Sequence, residues 1–255
     1  MSATHFVFTP SESKRLIGKA VAQMKPVKQA LKGGTVLICT GSTNACVVEE
    51  ILGEEFPHYQ YLSGHTLPAD TSKSLIPPDR RPDVILRKGE VDSSLDRFSA
   101  LQHMQPDDVY IKGANALNYE QGVAGILIGG FGGGGSIGAA LGHIAGRRLR
   151  LVIPVGLEKC IAQDIYEVTE TLTCHADYDP DPPRMVAVRG EIITEIEALH
   201  ILSGVSCQHI ASGGIAGAEG AVWLLAEGTP AQIDKARRIA EQVTGEPAFL
   251  DRINS

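Results

Sequence analysis

The stretch KGGTVLICTGSTNACVVEEIL (residues 32–52) decides how the chain is built. Two glycines make a turn, TVLIC is a short and nearly all-apolar run, and TGSTNA is a polar turn with its own glycine. A run of that length between turn residues predicts a strand buried in a parallel sheet. Val47, Val48, Ile51 and Leu52 then share one helical face, with acids on the other. Strand, glycine turn and helix are the first half of a βαβ unit.

The same alternation continues in both directions. TPSESKRLIGKAVAQMKPVKQAL before the stretch predicts a helix behind a Ser/Thr cap. After it, DVILRK, DDVYIKGANAL, VAGILIGG and RLRLVIPV read as strands, and SSLDRFSALQHM and GSIGAALGHIAG as helices. Residues 57–82 lack periodicity and read as a long loop or flap. Strand–helix alternation of this kind predicts an α/β fold with a doubly wound, mostly parallel, Rossmann-like sheet over residues 1–175. CHADYDPDPPR (174–184) is rich in Asp and Pro and reads as a linker. Beyond it, strand MVAVRGEIIT, helix EIEALHILSG, strands SCQHIAS and GAVWLLAE, and helix PAQIDKARRIAEQV predict a second, smaller α+β lobe of ferredoxin-like order over 176–255.

The composition bounds the function. The chain has 255 residues, enough for a sizeable core in one or two domains. A net charge of −7 argues against nucleic acid as the main partner. No apolar run approaches the ~20 residues that span a bilayer. The N-terminus lacks a signal-peptide pattern, and five cysteines without a Cys-x-x-Cys pair fit reduced thiols. Together these features point to a cytoplasmic protein. Cys174, His175 and Asp177 lack the paired spacing of a zinc site, so no metal or other cofactor is expected.

The glycines carry the functional reading. Turns at the carboxyl ends of parallel strands form the ligand crevice of open α/β sheets. The free N–H groups and dipole of the following helix attract phosphate or carboxylate. Thr40, Gly41, Ser42, Thr43 and Asn44 open one such helix. GGFGGGGS opens another, with Gly130, Gly132, Gly133, Gly134 and Gly135 as bare backbone and Ser136 placed to cap it. Neither is a Walker A loop or a clean Gly-x-Gly-x-x-Gly. The competing reading is that these glycines serve only tight turns and close packing. Lys112 and Gly113 follow a strand between the two turns. A lysine there fits pairing with an anion or, if desolvated, a Schiff base. Lys159 ends another strand, and Asn115 and Asn118 stand where they could orient hydroxyls.

In order and motif, residues 31–160 resemble the superfamily of ribose-5-phosphate isomerase, glucosamine-6-phosphate deaminase and coenzyme A transferases. LKGGTVLICTGSTNACVVEEILG resembles the isomerase phosphate loop, DDVYIKGANALN its Asp-Gly-Ala-Asp-Glu-x-Asn segment, and GGGGSIGAAL with RRLRLVIPVGLEK its Lys-Gly-Gly-Gly-Gly loop, helix and strand. Where the isomerase carries two aspartates, this chain has Lys112 and Asn115, and Phe131 stands for its lysine. The resemblance thus implies a small anionic metabolite as partner, a possible homo-oligomer, and a divergent isomerase-like protein without the isomerase carboxylates. Lys112 and Asn115 are its candidate catalytic groups. ILIGGFGGGGSI also resembles the coenzyme A transferase signature, which would make Glu120 the acyl-accepting carboxylate and coenzyme A the cofactor. A non-catalytic metabolite sensor is the third alternative.

Overall fold

The computed structural model describes residues 2–62, 64, 66–67, 79–129, 133–174 and 182–254. The chain opens with β1 (Ser2–Phe8), α1 (Pro10–Gln23) and α2 (Lys25–Gly33), interrupted at Met24 ahead of Pro26, which cannot continue a helix without losing a hydrogen bond. β2 (Thr35–Ile38) feeds α3 (Ser42–Leu52). Then come β3 (Val84–Arg87), β4 (Glu90–Val91), α4 (Arg97–His103), β5 (Val109–Ile111), a hairpin of β6 (Ala116–Asn118) and β7 (Val123–Ile128), and α5 (Gly135–Arg147). β8 (Arg150–Pro154), α6 (Ile165–Cys174), β9 (Arg184–Val188), β10 (Glu191–Ile193), α7 (Glu195–Ser203), β11 (Ser206–Ser212), β12 (Val222–Gly228), α8 (Pro230–Val243) and α9 (Phe249–Asn254) complete it.

A mixed α/β architecture with a six-stranded, mostly parallel sheet results. Its order is β10-β8-β5-β2-β3-β4; the first four strands are mutually parallel, and β3 and β4 run antiparallel at one edge. Val36, Leu37 and Ile38 of β2 and Val109, Tyr110 and Ile111 of β5 are fully buried, which is why these strands read as unbroken apolar runs.

Strand pairing crosses the expected division at residues 175 and 176 in both directions. β9 joins β7 and β6 in a three-stranded antiparallel sheet, and β10 extends the main sheet beside β8. The third sheet, β1-β12-β11, takes its first strand from the N-terminus, with Phe6 opposite Leu224 and Phe8 opposite Val222. An apolar run declares that it is a strand but not which strand it will pair with, so MVAVRGEIIT reads locally as part of the last segment while its two halves belong elsewhere.

α1 is set by a capping box: Thr9 Oγ1 accepts from the Glu12 amide and Glu12 Oε2 from the Thr9 amide. Its face of Leu16, Ile17, Ala20 and Val21 is fully buried, and the helix packs on α3 and α7. Gly18 lets α1 and α3 approach, since a Cβ there would lie 2.7 Å from Cys46 Cβ. Arg15 then holds Glu49 of α3 at 2.6 Å and Glu246 through two hydrogen bonds of 2.9 Å, which brings the C-terminal segment alongside α1.

Candidate functional site

The parallel strands end in register: Ile38 lies opposite Ile111, Ile111 opposite Val152, and Ile193 opposite Pro154. The segments leaving them, residues 40–44, 112–115, 156–159 and 194–195, are therefore neighbours along one edge of the sheet. A cleft of about 600 Å³ opens on this edge. Its floor is residues 40–44 and 112–115, Lys112 among them, and its walls include Leu62, Leu127, Phe249, Lys14 and Lys159.

The three lysines converge from three elements. Lys14 comes from the first turns of α1, Lys112 from the end of β5, and Lys159 from a 3₁₀ turn (Leu157–Lys159) after β8. All are half-buried. Lys112 Nζ donates to the Gly113 carbonyl at 3.1 Å and Lys159 Nζ to the Ala114 carbonyl at 2.9 Å. Burial lowers the pKa of both amines. For Lys159 the carboxylates of Glu158 and Glu195 oppose that shift, while the charges of Lys14 and Lys112 reinforce it.

The α3 helix begins at this cleft with Gly41 as its N-cap, so no side chain caps its first turn. Its N–H groups and dipole add partial positive charge to that of the lysines. Asn44 Nδ2 donates to the Cys39 carbonyl at 2.7 Å and, more weakly, to that of Ile111 at 3.4 Å, tying the ends of β2 and β5 together. Its Oδ1 is buried, finds no partner among the described residues, and belongs to a side chain lining the cleft.

Beneath the floor lies a polar layer. Asp83, just ahead of β3, accepts the Thr40 amide at 2.9 Å through Oδ1 and meets Arg97 Nη2 at 2.5 Å through Oδ2. Tyr61 donates to the Ile38 carbonyl and accepts from the Val84 amide. These contacts fix the turn that carries Ser42 and Thr43.

No family model, curated protein or solved structure matches the chain.

The cleft gathers Thr40, Gly41, Ser42, Thr43, Asn44, Lys112, Gly113, Asn115 and Lys159. Asn115 is fixed to β7, its Oδ1 accepting the Leu127 amide at 3.0 Å. Glu120 is elsewhere: it is exposed in the turn between β6 and β7 and does not line the cleft. Gly130, Gly132 and Phe131 lie outside the described residues, as do His175 and Asp177. Gly133, Gly134, Gly135 and Ser136 are described but do not line the cleft. Ser136 does not cap α5, because the N-cap is Gly134 and Ser136 sits inside the first turn, its carbonyl accepting from Tyr110 Oη at 2.7 Å. Asn118 is structural, with Nδ2 on the Gln163 carbonyl and Oδ1 on the Gln121 amide. Lys14, Phe249 and Asp83 are the residues that sequence reasoning missed.

Two other features carry no site. In a hollow of about 560 Å³ at the opposite end of the sheet, Asp108 already accepts the Thr35 and Gln105 amides at 2.7 and 2.8 Å, and Arg150 meets Asp107 and Glu191. Cys46, His58 and Glu49 are ordered like nucleophile, base and orienting acid, with Sγ to Nδ1 at 3.9 Å and Nε2 to Oε2 at 2.5 Å. Both Cys46 and His58 are buried, and burial pushes the thiol up to about 12 and the imidazole down, so the pair stays neutral and sealed. Among the described residues no cluster of His, Cys, Asp and Glu could hold a metal, and no helix is long and apolar enough to cross a membrane.

Proposed function

We propose that the protein binds a small phosphorylated or carboxylated metabolite in this cleft and acts on it as a divergent relative of the sugar-phosphate isomerases. The observation that carries the reading is the convergence of Lys14, Lys112 and Lys159 on an uncapped helix N-terminus, in a cleft lined, among the described residues, by no acidic side chain. Such a site lowers the free energy of an anion through both full charges and oriented N–H groups. In this reading the sheet is doubly wound and Rossmann-like, and the cleft marks the place where connections from β2 and β5 leave in different directions.

A non-catalytic metabolite sensor is the second reading, favoured by the same lack of a carboxylate to move protons. Acyl transfer through Glu120 has no support from its position on an exposed turn.

Thermal unfolding against sugar phosphates, nucleotides, coenzyme A thioesters and simple carboxylates tests the proposal. A ligand at about a hundredfold excess over its Kd adds ~2.7 kcal/mol to stability, a shift of several degrees. A shift with a phosphorylated or carboxylated compound that is lost in Lys112→Ala and Ser42→Ala supports the cleft. No shift with any of them would end the anion-site reading.

A further inference from the structure

We infer that the ligand of this cleft is a carbonyl-bearing anion, an aldehyde or ketone carrying a phosphate or carboxylate, and that Lys112 joins its carbonyl carbon as an imine. The inference rests on the anion-binding reading above and adds the substrate class and the nucleophile.

The cleft limits its own chemistry. Its described lining contains hydroxyls, asparagine amides, backbone and three lysines, with no carboxylate, imidazole or thiol. A hydroxyl needs a neighbouring base to become a nucleophile, and the titratable side chains of the described lining are all amines. Proton abstraction by a carboxylate, the ordinary route to activating a sugar phosphate, has no residue to perform it among those described.

The lysines are not equivalent. Lys159 is clamped to the Ala114 carbonyl and stands near the carboxylates of Glu158 and Glu195, which favour its ammonium form. Lys112 also donates to a carbonyl, that of Gly113 at 3.1 Å, but no glutamate pair stands beside it. Its acidic neighbour Asp83 is already matched with Arg97 at 2.5 Å, and its other neighbour, Cys39, is a thiol whose pKa burial pushes up to about 12. Burial is the largest influence on Lys112 and disfavours the ammonium. A desolvated amine lining a cleft is the setting in which a lysine becomes nucleophilic.

The placement fits a division of labour. β5 lies between β2 and β8, so Lys112 rises from the middle of the cleft floor. Lys159 rises on the β8 side and the α3 N-terminus on the β2 side. An anionic group held by these outer donors leaves the rest of a small metabolite over Lys112. Asn44 Oδ1, buried and without a partner among the described residues, supplies an acceptor on the same floor for a hydroxyl of that metabolite.

The step balances without another reactant. The neutral Nζ adds its lone pair to the carbonyl carbon, the C=O π pair moves to oxygen, and the oxygen takes a proton given up by nitrogen. The resulting carbinolamine expels its hydroxyl with a proton as water while the nitrogen lone pair closes the C=N bond. Overall one ammonium and one carbonyl give one iminium and one water. The iminium withdraws electrons from the adjacent carbon, which activates the ligand without a carboxylate from the described lining.

Borohydride trapping tests this on the full chain. The protein is incubated with pyruvate or glyceraldehyde 3-phosphate, reduced, and analysed by intact mass and peptide mapping. Lactate and glycerol 3-phosphate, which lack the carbonyl, serve as controls, and their binding is followed by calorimetry. The expected result is one secondary-amine adduct per chain, located on Lys112 with at least one carbonyl probe and absent with both controls. In Lys112→Arg the adduct falls at least about tenfold, because a guanidinium stays protonated. Mapping on the unaltered chain gives the same answer if that variant does not fold. Binding of the controls without any Lys112 adduct overturns the imine and leaves the anion site standing. Labelling spread over surface lysines and unchanged in Lys112→Arg also overturns it. Failure of all four compounds to bind or react overturns the imine together with the reading beneath it.

Discussion

Lys159 Nζ donates to the Ala114 carbonyl at 2.9 Å, so the lysine leaving β8 clamps the loop that follows β5, one residue beyond the Gly113 carbonyl that accepts from Lys112 at 3.1 Å. Lys159 thus contributes a charge to the cleft and also holds the strand-end loop that carries the second charge. Lys159→Ala removes both roles. A hydrogen bond to a charged group contributes about 1.5–3 kcal/mol, so the affinity for an anionic ligand falls about ten- to a hundredfold. Calorimetric titration of the variant with whichever anion stabilises the unaltered protein checks this, and an unchanged Kd would remove Lys159 from the site.

Asp83 holds the cleft floor from below, bonding the Thr40 amide and Arg97 at once with a side chain only 4 % exposed. Arg97 Nε is itself buried without a partner among the described residues. Asp83→Ala would leave that guanidinium uncompensated, a change that costs about 3–5 kcal/mol. Asp83→Asn keeps an acceptor for Thr40 and loses only the charge, so it is the milder of the two. Urea denaturation of both variants gives the ordering, and a midpoint for Asp83→Asn equal to that of the unaltered protein would show that the ion pair contributes nothing to the fold.

Glu195 is fully buried at the start of α7, where Oε2 accepts the Leu157 amide at 2.9 Å and Oε1 has no partner among the described residues. Burial, with the nearby charge of Glu158, raises its pKa to about 7, against the partial opposition of Ser13 and backbone N–H groups. The unfolded chain releases this proton near 4.5 while the folded chain keeps it until about 7. Between those values the native state binds more protons, so stability falls as pH rises and then levels off, by up to roughly 3 kcal/mol. Glu195→Gln keeps the acceptor for Leu157 and cannot ionise. It is expected to match the unaltered protein at pH 4.5 and exceed its stability at pH 8. Parallel pH-dependent unfolding curves for the two proteins would contradict the assignment.

Much of the cleft floor is legible in the sequence because its chemistry is local. TGSTNA and KGAN each follow an apolar run, and a turn after a buried parallel strand has one place to be, the carboxyl edge of the sheet. Lys14, Phe249 and Asp83 are different. Each reaches the site through contacts over long sequence distances: α1 on α3, Arg15 on Glu246, and the pairing of β3 with β2. No pattern near these residues announces that. β1 is not legible in the sequence for the same reason, since SATHFVF is a strand only because β12 lies beside it. α6 was missed because IYEVTETLTC is rich in residues that favour strands, and its packing on β9 and β7 overrides that preference.

The five thiols divide by burial. Cys39 and Cys46 are buried and burial pushes both up to about 12, whereas Cys160 and Cys174 are exposed and Cys207 is half-buried. Thiolate is the reactive form, and partial burial with nearby carboxylates pushes both Cys160 and Cys207 up to about 11, so Ellman's reagent should modify Cys174 readily, Cys160 and Cys207 slowly, and Cys39 and Cys46 only after denaturation. Fast labelling of Cys46 would mean that His58, 3.9 Å away, activates it after all and that the buried Cys–His–Glu arrangement opens to solvent.

The glycine run can be separated into positions that need glycine and positions that do not. Gly133, Gly134 and Gly135 have φ of 65°, 76° and 62°, three successive left-handed residues that turn the chain into α5. Gly138 lies one turn later with ordinary helical φ, but a Cβ there would sit 2.0 Å from the Gly133 carbonyl oxygen, a rigid backbone atom. Gly142, on the same helix, has nothing within 4 Å of an added Cβ. Gly138→Ala should therefore cost about 1–3 kcal/mol through overpacking, while Gly142→Ala should gain about 0.5–1 kcal/mol by reducing the entropy of the unfolded chain. The two substitutions have the same chemistry and the same helix, so their difference in thermal midpoint isolates close approach from propensity. Equal shifts in the same direction would show that the turn before α5 adjusts freely and that its glycines answer only to backbone flexibility.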